Sequence, residues 1–314
     1  MSDAAPPGSA PGHPDTDPAS LLSRVGGTPL VPLEGIWCKL EFLNPSGSVK
    51  ARLAHSLIER AEADGRLQPG DTIVEATSGN TGNALAMVAA IKGYRMQVLL
   101  PRGISTERTA ISQAYGAEVI EVGDFHVNDA LARAEELGRQ PGHFCPRQFA
   151  SADNVAENRE WLGPEVLAQL PAGRAPDALV MGIGTGGTLI GAGQALRAAN
   201  PDCLTVGVEP AESPTVATGR VGRHRIEGIA DGFVPEIIER HRGEIDELVT
   251  VASDDAVAEM RRLAPVHGCF VGPSSGAHFL AAKALRERRP ELETVVTLLC
   301  DGGEKYFSEY FRSG

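Results

Sequence analysis

Three short stretches of this chain place reactive residue types where a fold could use them. The first is Asn44-Pro45-Ser46-Gly47-Ser48-Val49-Lys50-Ala51-Arg52. Its turn signal closes an apolar run from Ile36 to Leu43, and a helical pattern with Leu53, Ala54, Leu57, Ile58 and Ala61 on one face begins at once. Lys50 therefore falls in the first turn of a helix, where the positive end of the macrodipole disfavours a cation. A solvated surface lysine is the plain reading. A lysine that works uncharged, as a Schiff base with a carbonyl cofactor, removes the conflict. The second stretch, Thr77-Ser78-Gly79-Asn80-Thr81-Gly82, crowds hydroxyls and amides onto a helix N-terminus, where free backbone N–H groups suit a small anion such as a carboxylate. An N-cap from Thr77 or Ser78 would account for one of these side chains, not for all of them. The third stretch, Gly182-Ile183-Gly184-Thr185-Gly186-Gly187-Thr188, joins a strand to a helix, and its N–H groups could cradle a phosphate.

The third stretch has a rival reading. Gly182, Gly184 and Gly187 spell a dinucleotide fingerprint, and Glu209 ends the next strand where a ribose-binding acid belongs. That reading leaves Lys50 and Asn80 unexplained. One loop for a phosphate, one lysine for a Schiff base and one loop for a substrate carboxylate account for all three stretches together, as pyridoxal 5'-phosphate chemistry on amino acids requires.

The elements that must position these loops alternate between strand and helix. Strands are expected over 71–76, 95–100, 117–122, 143–149, 178–183, 204–209, 247–251 and 294–300. Helices are expected over 80–92, 105–115, 127–137, 154–170, 254–267, 275–288 and 304–311, with another running from the glycine loop to Ala199 and 210–235 irregular. Runs such as Val295-Val296-Thr297-Leu298-Leu299 are continuously apolar, as in strands buried on both faces. The expected fold class is α/β, two doubly wound units with ligand loops at the carboxyl ends of parallel strands.

Bulk properties narrow the partners. The chain has 314 residues, 42% of them hydrophobic, enough for two cores. A net charge of -12 argues against a nucleic-acid surface, and no apolar run is long enough to span a membrane. Residues 1–20 lack the basic and apolar regions of a signal peptide and read as a disordered tail. Cys38, Cys145, Cys203, Cys269 and Cys300 show no paired spacing and read as free thiols in a reducing, cytoplasmic compartment.

The motifs around Lys50, Asn80 and Gly184–Thr188, together with Pro273-Ser274-Ser275-Gly276, resemble the fold-type II pyridoxal-phosphate enzymes, in the cysteine synthase (O-acetylserine sulfhydrylase) and cystathionine β-synthase branch. The resemblance runs from Gly26 to Phe311 and includes Gln148-Phe149, Gly163-Pro164-Glu165, Glu227-Gly228-Ile229 and Gly303-Glu304-Lys305-Tyr306. It implies a fold like that of the tryptophan synthase β-subunit. The larger, cofactor-binding domain would comprise 21–45 and 149–314, and a smaller mobile domain 46–148. It implies that Lys50 carries the Schiff base and moves the Cα proton, and that Asn80 bonds the cofactor's phenolic oxygen. Gly184, Thr185, Gly186, Gly187 and Thr188 would hold the phosphate, and Ser274 would face the pyridine nitrogen. Thr77, Ser78, Thr81 and Gln148 would hold the substrate carboxylate, with Gly228 near the amino acid. A neutral Ser274 suits α,β-elimination, because no carboxylate keeps the ring nitrogen protonated.

The reaction so implied is β-replacement on an activated L-serine: O-acetyl-L-serine plus sulfide to L-cysteine. O-phosphoserine or serine as donor, or another nucleophile, is the alternative within the class, and a nicotinamide-dependent oxidoreductase the remote one. A phosphoserine enzyme would need an extra cation, for which Arg223 and Arg225 lie near the relevant loop. The resemblance also implies a homodimer and a possible partner in the C-terminal tail of serine acetyltransferase. Ala51, Asn158 and Ala230 depart from the pattern, and the Ala230 methyl is expected to narrow the nucleophile pocket.

Overall fold

The structure, a computed structural model, describes residues 20–77, 79–102, 106–124 and 127–311. The expected tail over 1–20 lies almost wholly outside them, as does Ser78. Ten strands form two sheets. The strands are β1 (Leu30–Leu33), β2 (Ile36–Leu40), β3 (Thr72–Ala76), β4 (Arg95–Arg102), β5 (Glu118–Asp124), β6 (His143–Phe144), β7 (Ala178–Gly182), β8 (Leu204–Pro210), β9 (Glu247–Val251) and β10 (Val295–Leu299). The six-stranded sheet runs β1-β2-β10-β7-β8-β9 and the four-stranded sheet β5-β4-β3-β6. Every pairing is parallel except β1 with β2, a hairpin whose short connection allows only the antiparallel arrangement. The sheets are thus built by different parts of the chain, 72–144 for the smaller and the flanking regions for the larger.

Burial follows the apolar runs. Strands β3, β7 and β10 are buried at every position. Val180, Val206 and Val208 pack with Phe279 and Leu285 on one face of the larger sheet, and Leu179, Met181, Val296 and Leu298 pack with Leu189 and Leu196 on the other. Parallel sheets need this double cover because their crossovers lay helices on both faces. The helices are α1 (Lys50–Ala63), α2 (Asn80–Lys92), α3 (Thr106–Ala114), α4 (Val127–Gly138), α5 (Ala152–Glu157), α6 (Gly163–Gln169), α7 (Gly187–Ala199), α8 (Thr215–Thr218), α9 (Glu236–His241), α10 (Ser253–His267) and α11 (Pro273–Arg288).

Four expectations need correction. The helix expected over 154–170 is broken by a π-helical turn, Asn158–Leu162. Pro164 has no N–H to donate to residue 160, and its ring would press on that carbonyl, so the ladder widens there. Glycine allows the close crossing beside it: a Cβ on Gly191 would lie 2.2 Å from the Val155 carbonyl oxygen. The strand expected over 143–149 stops after Phe144, two residues before Pro146. The stretch 210–235 contains α8, whose first N–H groups are held by Glu209. The segment 304–311 is a 3-10 turn (Gly303–Tyr306) followed by a π turn (Phe307–Phe311).

Candidate active site

The three loops converge on one cleft between the two sheets, at the carboxyl ends of β3, β7 and β10. Lys50, Thr77, Asn80, Thr81, Gln148, Gly184, Thr185, Gly186, Thr188, Gly228 and Ser274 line it. Gly187 does not line the cleft; a Cβ there would lie 1.9 Å from Asn154 Oδ1, so only glycine fits between the turn and that amide.

Lys50 is the first residue of α1 and is half-buried. Its amine makes no hydrogen bond or ion pair with any described residue. The second lysine in the cleft, Lys305, is different. Its Nζ donates to Gly47 O (2.8 Å), Ser46 O (3.3 Å) and Asn80 Oδ1 (2.7 Å), which uses all three of its donors. Burial lowers the Lys305 pKa, an effect that Asp301 and Glu304 oppose.

Asn80 is clamped at both ends, accepting from Lys305 and donating through Nδ2 to Asp301 Oδ2 (2.7 Å). Tyr306 holds the same carboxylate oxygen (2.6 Å). The amide keeps one N–H for a further acceptor. Asp301 and Lys305 were not assigned roles by the sequence. The signal that could have found them is a charged pair immediately after the buried strand β10.

Helix α2 begins with Gly79 as its N-cap, a residue with no side chain to cap with, and Thr77 Oγ1 accepts from the Gly79 N–H just before the helix (3.3 Å). Its first N–H groups therefore face the cleft without intrahelical partners. Thr81 Oγ1 donates to Gln148 Oε1 (2.7 Å), and Gln148 Nε2 donates to Ala76 O (3.1 Å), leaving one amide N–H for a ligand. Glu75 accepts from the N–H groups of Ala76 (3.0 Å) and Gln148 (3.1 Å), and burial pushes its carboxyl up to about 7.

Helix α7 likewise starts from a glycine N-cap, Gly186, at a φ of 87°. Thr185 Oγ1 accepts from Asn154 Nδ2 (3.0 Å) and from the Gly187 N–H (3.3 Å), so its own proton is free to point at an anion. A Cβ on Gly184 would lie 2.5 Å from the Gly228 carbonyl oxygen, so this loop and the 228 loop touch through backbone alone. Helix-start N–H donors beyond Gly187, a hydroxyl with its proton free and close-set glycines are what a phosphate-binding turn needs.

Ser274 sits in the first turn of α11, whose N-cap is Gly272, not Ser274. Its hydroxyl has no partner among the described residues. His278, one turn on, is fully buried and neutral, its pKa lowered to about 4 by burial. Its Nε2 accepts from the Gly182 N–H (2.8 Å), so Nδ1 carries the proton and donates to Leu298 O (3.1 Å).

The dinucleotide reading loses its acid here. Glu209 is buried and spends its carboxylate on the N–H groups of Val216 (2.6 Å) and Ala217 (2.9 Å). Ala230, expected to narrow the nucleophile pocket, does not line the cleft. It adopts a left-handed φ of 55°, with its N–H on Ile183 O (2.9 Å) and its carbonyl on His224 Nε2 (3.0 Å). Neither Arg223 nor Arg225 lines the cleft, and Arg225 pairs with Asp254 at the surface. All five cysteines are free, and no metal-binding cluster occurs among the described residues. Among those residues, no helix is long and apolar enough to cross a membrane.

A cleft that offers an unpaired lysine, a glycine turn at a helix start and a serine hydroxyl with no partner among the described residues fits pyridoxal phosphate, and a family profile described as "Pyridoxal-phosphate dependent enzyme" matches residues 21–301. The chain belongs to that family of enzymes and uses pyridoxal phosphate as cofactor. Within it, the chain is of the cysteine synthase type. It is 41% identical over 299 residues to a cysteine synthase of Staphylococcus aureus, covering 92% of this chain and 95% of the relative. It is 41% identical over 303 residues to the O-ureido-L-serine synthase of Streptomyces lavendulae, covering 94% and 93%. The crystal structure of an O-acetylserine-dependent cystathionine β-synthase from Helicobacter pylori superposes with a TM-score of 0.87 at 34% identity, covering 94% and 99%.

Proposed function

We propose that this β-replacement enzyme converts O-acetyl-L-serine and sulfide to L-cysteine and acetate. The observation that carries this is the unpaired Lys50 amine, set between an anion-binding helix start at α2 and a glycine turn at α7. The cofactor, when bound, supplies an electron sink for the amino acid's Cα. Lys50 would link to it and carry the Cα proton. Asn80 would give its remaining N–H to the cofactor's phenolic oxygen, held in register by Asp301 and Lys305. The Gly184–Thr188 turn would hold the phosphate, and Ser274 would give the ring nitrogen a neutral partner. Thr77, Ser78, Thr81 and Gln148, with the N–H groups of α2, would hold the substrate carboxylate, and Gly228 would border the amino acid.

A phosphoserine donor finds less support. The cations lining the cleft among the described residues are Lys50 and Lys305, and the donors of Lys305 are already spent. The S. aureus relative is a cysteine synthase and the S. lavendulae relative an O-ureido-L-serine synthase, so relatives at the same 41% identity differ in the product they are named for. We further propose that residues 46–148 move as a smaller domain over bound substrate, excluding water. The enzyme would act as a cytoplasmic homodimer, and the same carboxylate loop would receive the C-terminal carboxylate of serine acetyltransferase.

The test is the visible spectrum of the coloured holoenzyme during addition of O-acetyl-L-serine and then sulfide. A shift on the first addition that reverses on the second, with L-cysteine formed, is the expected result. A spectrum indifferent to O-acetyl-L-serine overturns the donor. A second prediction concerns the phosphate turn. Gly184→Ala drives a methyl into the Gly228 carbonyl, so one backbone must move. Equilibrium titration with pyridoxal phosphate should show affinity reduced at least about tenfold, the worth of one displaced charge-assisted hydrogen bond. Unchanged affinity would remove the turn from the cofactor site.

A further inference from the structure

The cleft wall holds a carboxylate that the reading above does not use. Asp231 follows Ala230 in the loop that leans on the glycine turn. Asp231 is solvent-exposed at the mouth of the cleft; desolvation by the surrounding wall raises its carboxyl pKa, an effect that Lys50 opposes. Glu227, the other acid lining the cleft among the described residues, accepts from the Tyr310 hydroxyl (2.8 Å). Asp231 makes no hydrogen bond or ion pair with any described residue, and it shares the cleft lining with Lys50. The loop is held in place, because the Gly228 carbonyl abuts Gly184 and Ala230 is bonded on both sides.

We propose that Asp231 sets the charge of the β-substituent this enzyme handles, admitting neutral groups and refusing anionic ones. The inference rests on the reading of the cleft as an amino-acid site. A fixed negative charge beside the lysine repels a phosphate or sulfonate carried on Cβ and is indifferent to an acetyl ester. It also acts on the incoming partner. A neutral nucleophile X–H donates a hydrogen bond to the carboxylate and gives up its proton to it as the X lone pair forms the bond to Cβ. The substituent it replaces has already left with its bonding pair as an anion, and Asp231 then releases the proton to solvent. One X–H and one Cβ–substituent bond are exchanged for one X–Cβ bond, a proton and the departed anion. Sulfide would enter as H2S, and other neutral thiols, alcohols or amines could compete in the same way.

Equilibrium binding of two stable amino acids to the holoenzyme tests this without turnover. S-methyl-L-cysteine carries a neutral β-substituent and S-sulfo-L-cysteine an anionic one. Dissociation constants from calorimetry should favour the methyl compound by at least about tenfold in the native enzyme. Asp231→Asn should close most of that gap by tightening the sulfonate alone, and Asp231→Glu should keep it. An equal preference in native enzyme and Asp231→Asn overturns the inference while leaving the amino-acid site intact. Failure of both ligands to bind either protein overturns the amino-acid site and the inference with it.

Discussion

Lys50→Ala should lose at least about 10³-fold in β-replacement turnover, because the substitution removes both the covalent anchor and the group that moves the Cα proton. The choice between the two lysines of the cleft is a matter of lone pairs. A nitrogen that donates three hydrogen bonds has no free pair to attack a carbonyl, and Lys305 donates to Ser46 O, Gly47 O and Asn80 Oδ1. Lys50 has no such partners, and its position at the start of α1 works against a standing positive charge. Borohydride reduction of the holoenzyme followed by peptide mass mapping should place the label on the peptide containing Lys50. A label on Lys305, or a Lys50→Ala protein with native turnover, would overturn the assignment. Circular dichroism should show Lys50→Ala folded, since the side chain is half-buried and bonded to none of the described residues.

What the sequence revealed and what it hid divide by range. Lys50, the α2 start and the α7 turn are each legible because a strand, a turn and a helix start lie within about ten residues, and their conflict with ordinary helix rules is local. The double-faced strands are legible for the same reason, since Val295–Leu299 has no polar face to offer water. The clamp on Asn80 is not legible, because its partners Asp301 and Lys305 lie 221 and 225 positions away and only the fold brings them together. Glu209 was legible as an acid at a strand end but not in its task. A ribose and a pair of helix N–H groups ask for the same residue there, and only the position of α8 distinguishes them. The π turn at 158–162 was signalled by Gly163-Pro164, yet the apolar pattern runs through it unbroken, so periodicity masks the break.

Glu41→Ala should cost about 3 kcal/mol of stability and lower the melting temperature by about 6 °C, with the cofactor site affected only through α1. Arg52, two residues beyond Lys50, is fully buried and held by a fork: Nε to Glu41 Oε2 (2.8 Å) and Nη2 to Glu41 Oε1 (2.9 Å). Glu41 also accepts from Thr28 Oγ1 (2.6 Å) and Asn44 Nδ2 (2.7 Å), so its removal strands several buried donors at once. The loss stays near the low end for a broken buried pair because Glu165 still accepts from Arg52 at 2.8 and 2.9 Å. Burial alone would raise the Glu165 carboxyl, but bonds from Arg52 and Lys39 outweigh it and hold it at about 2. Burial lowers the Lys39 pKa, opposite to what its pairing with Glu165 favours; with Glu165 Oε1 at 2.5 Å and Gln169 Oε1 at 2.7 Å the ammonium remains charged. A carboxyl depressed below its unfolded value of 4.5 contributes stability that is complete above that pH and lost as pH falls toward about 2. Acid unfolding should therefore steepen between those values, by on the order of 3 kcal/mol from this group, and Glu165→Gln should flatten that limb while lowering stability at neutral pH. A Glu165→Gln protein with the native acid profile, or a Glu41→Ala protein with the native melting temperature, would mean that α1 is anchored by its apolar face alone.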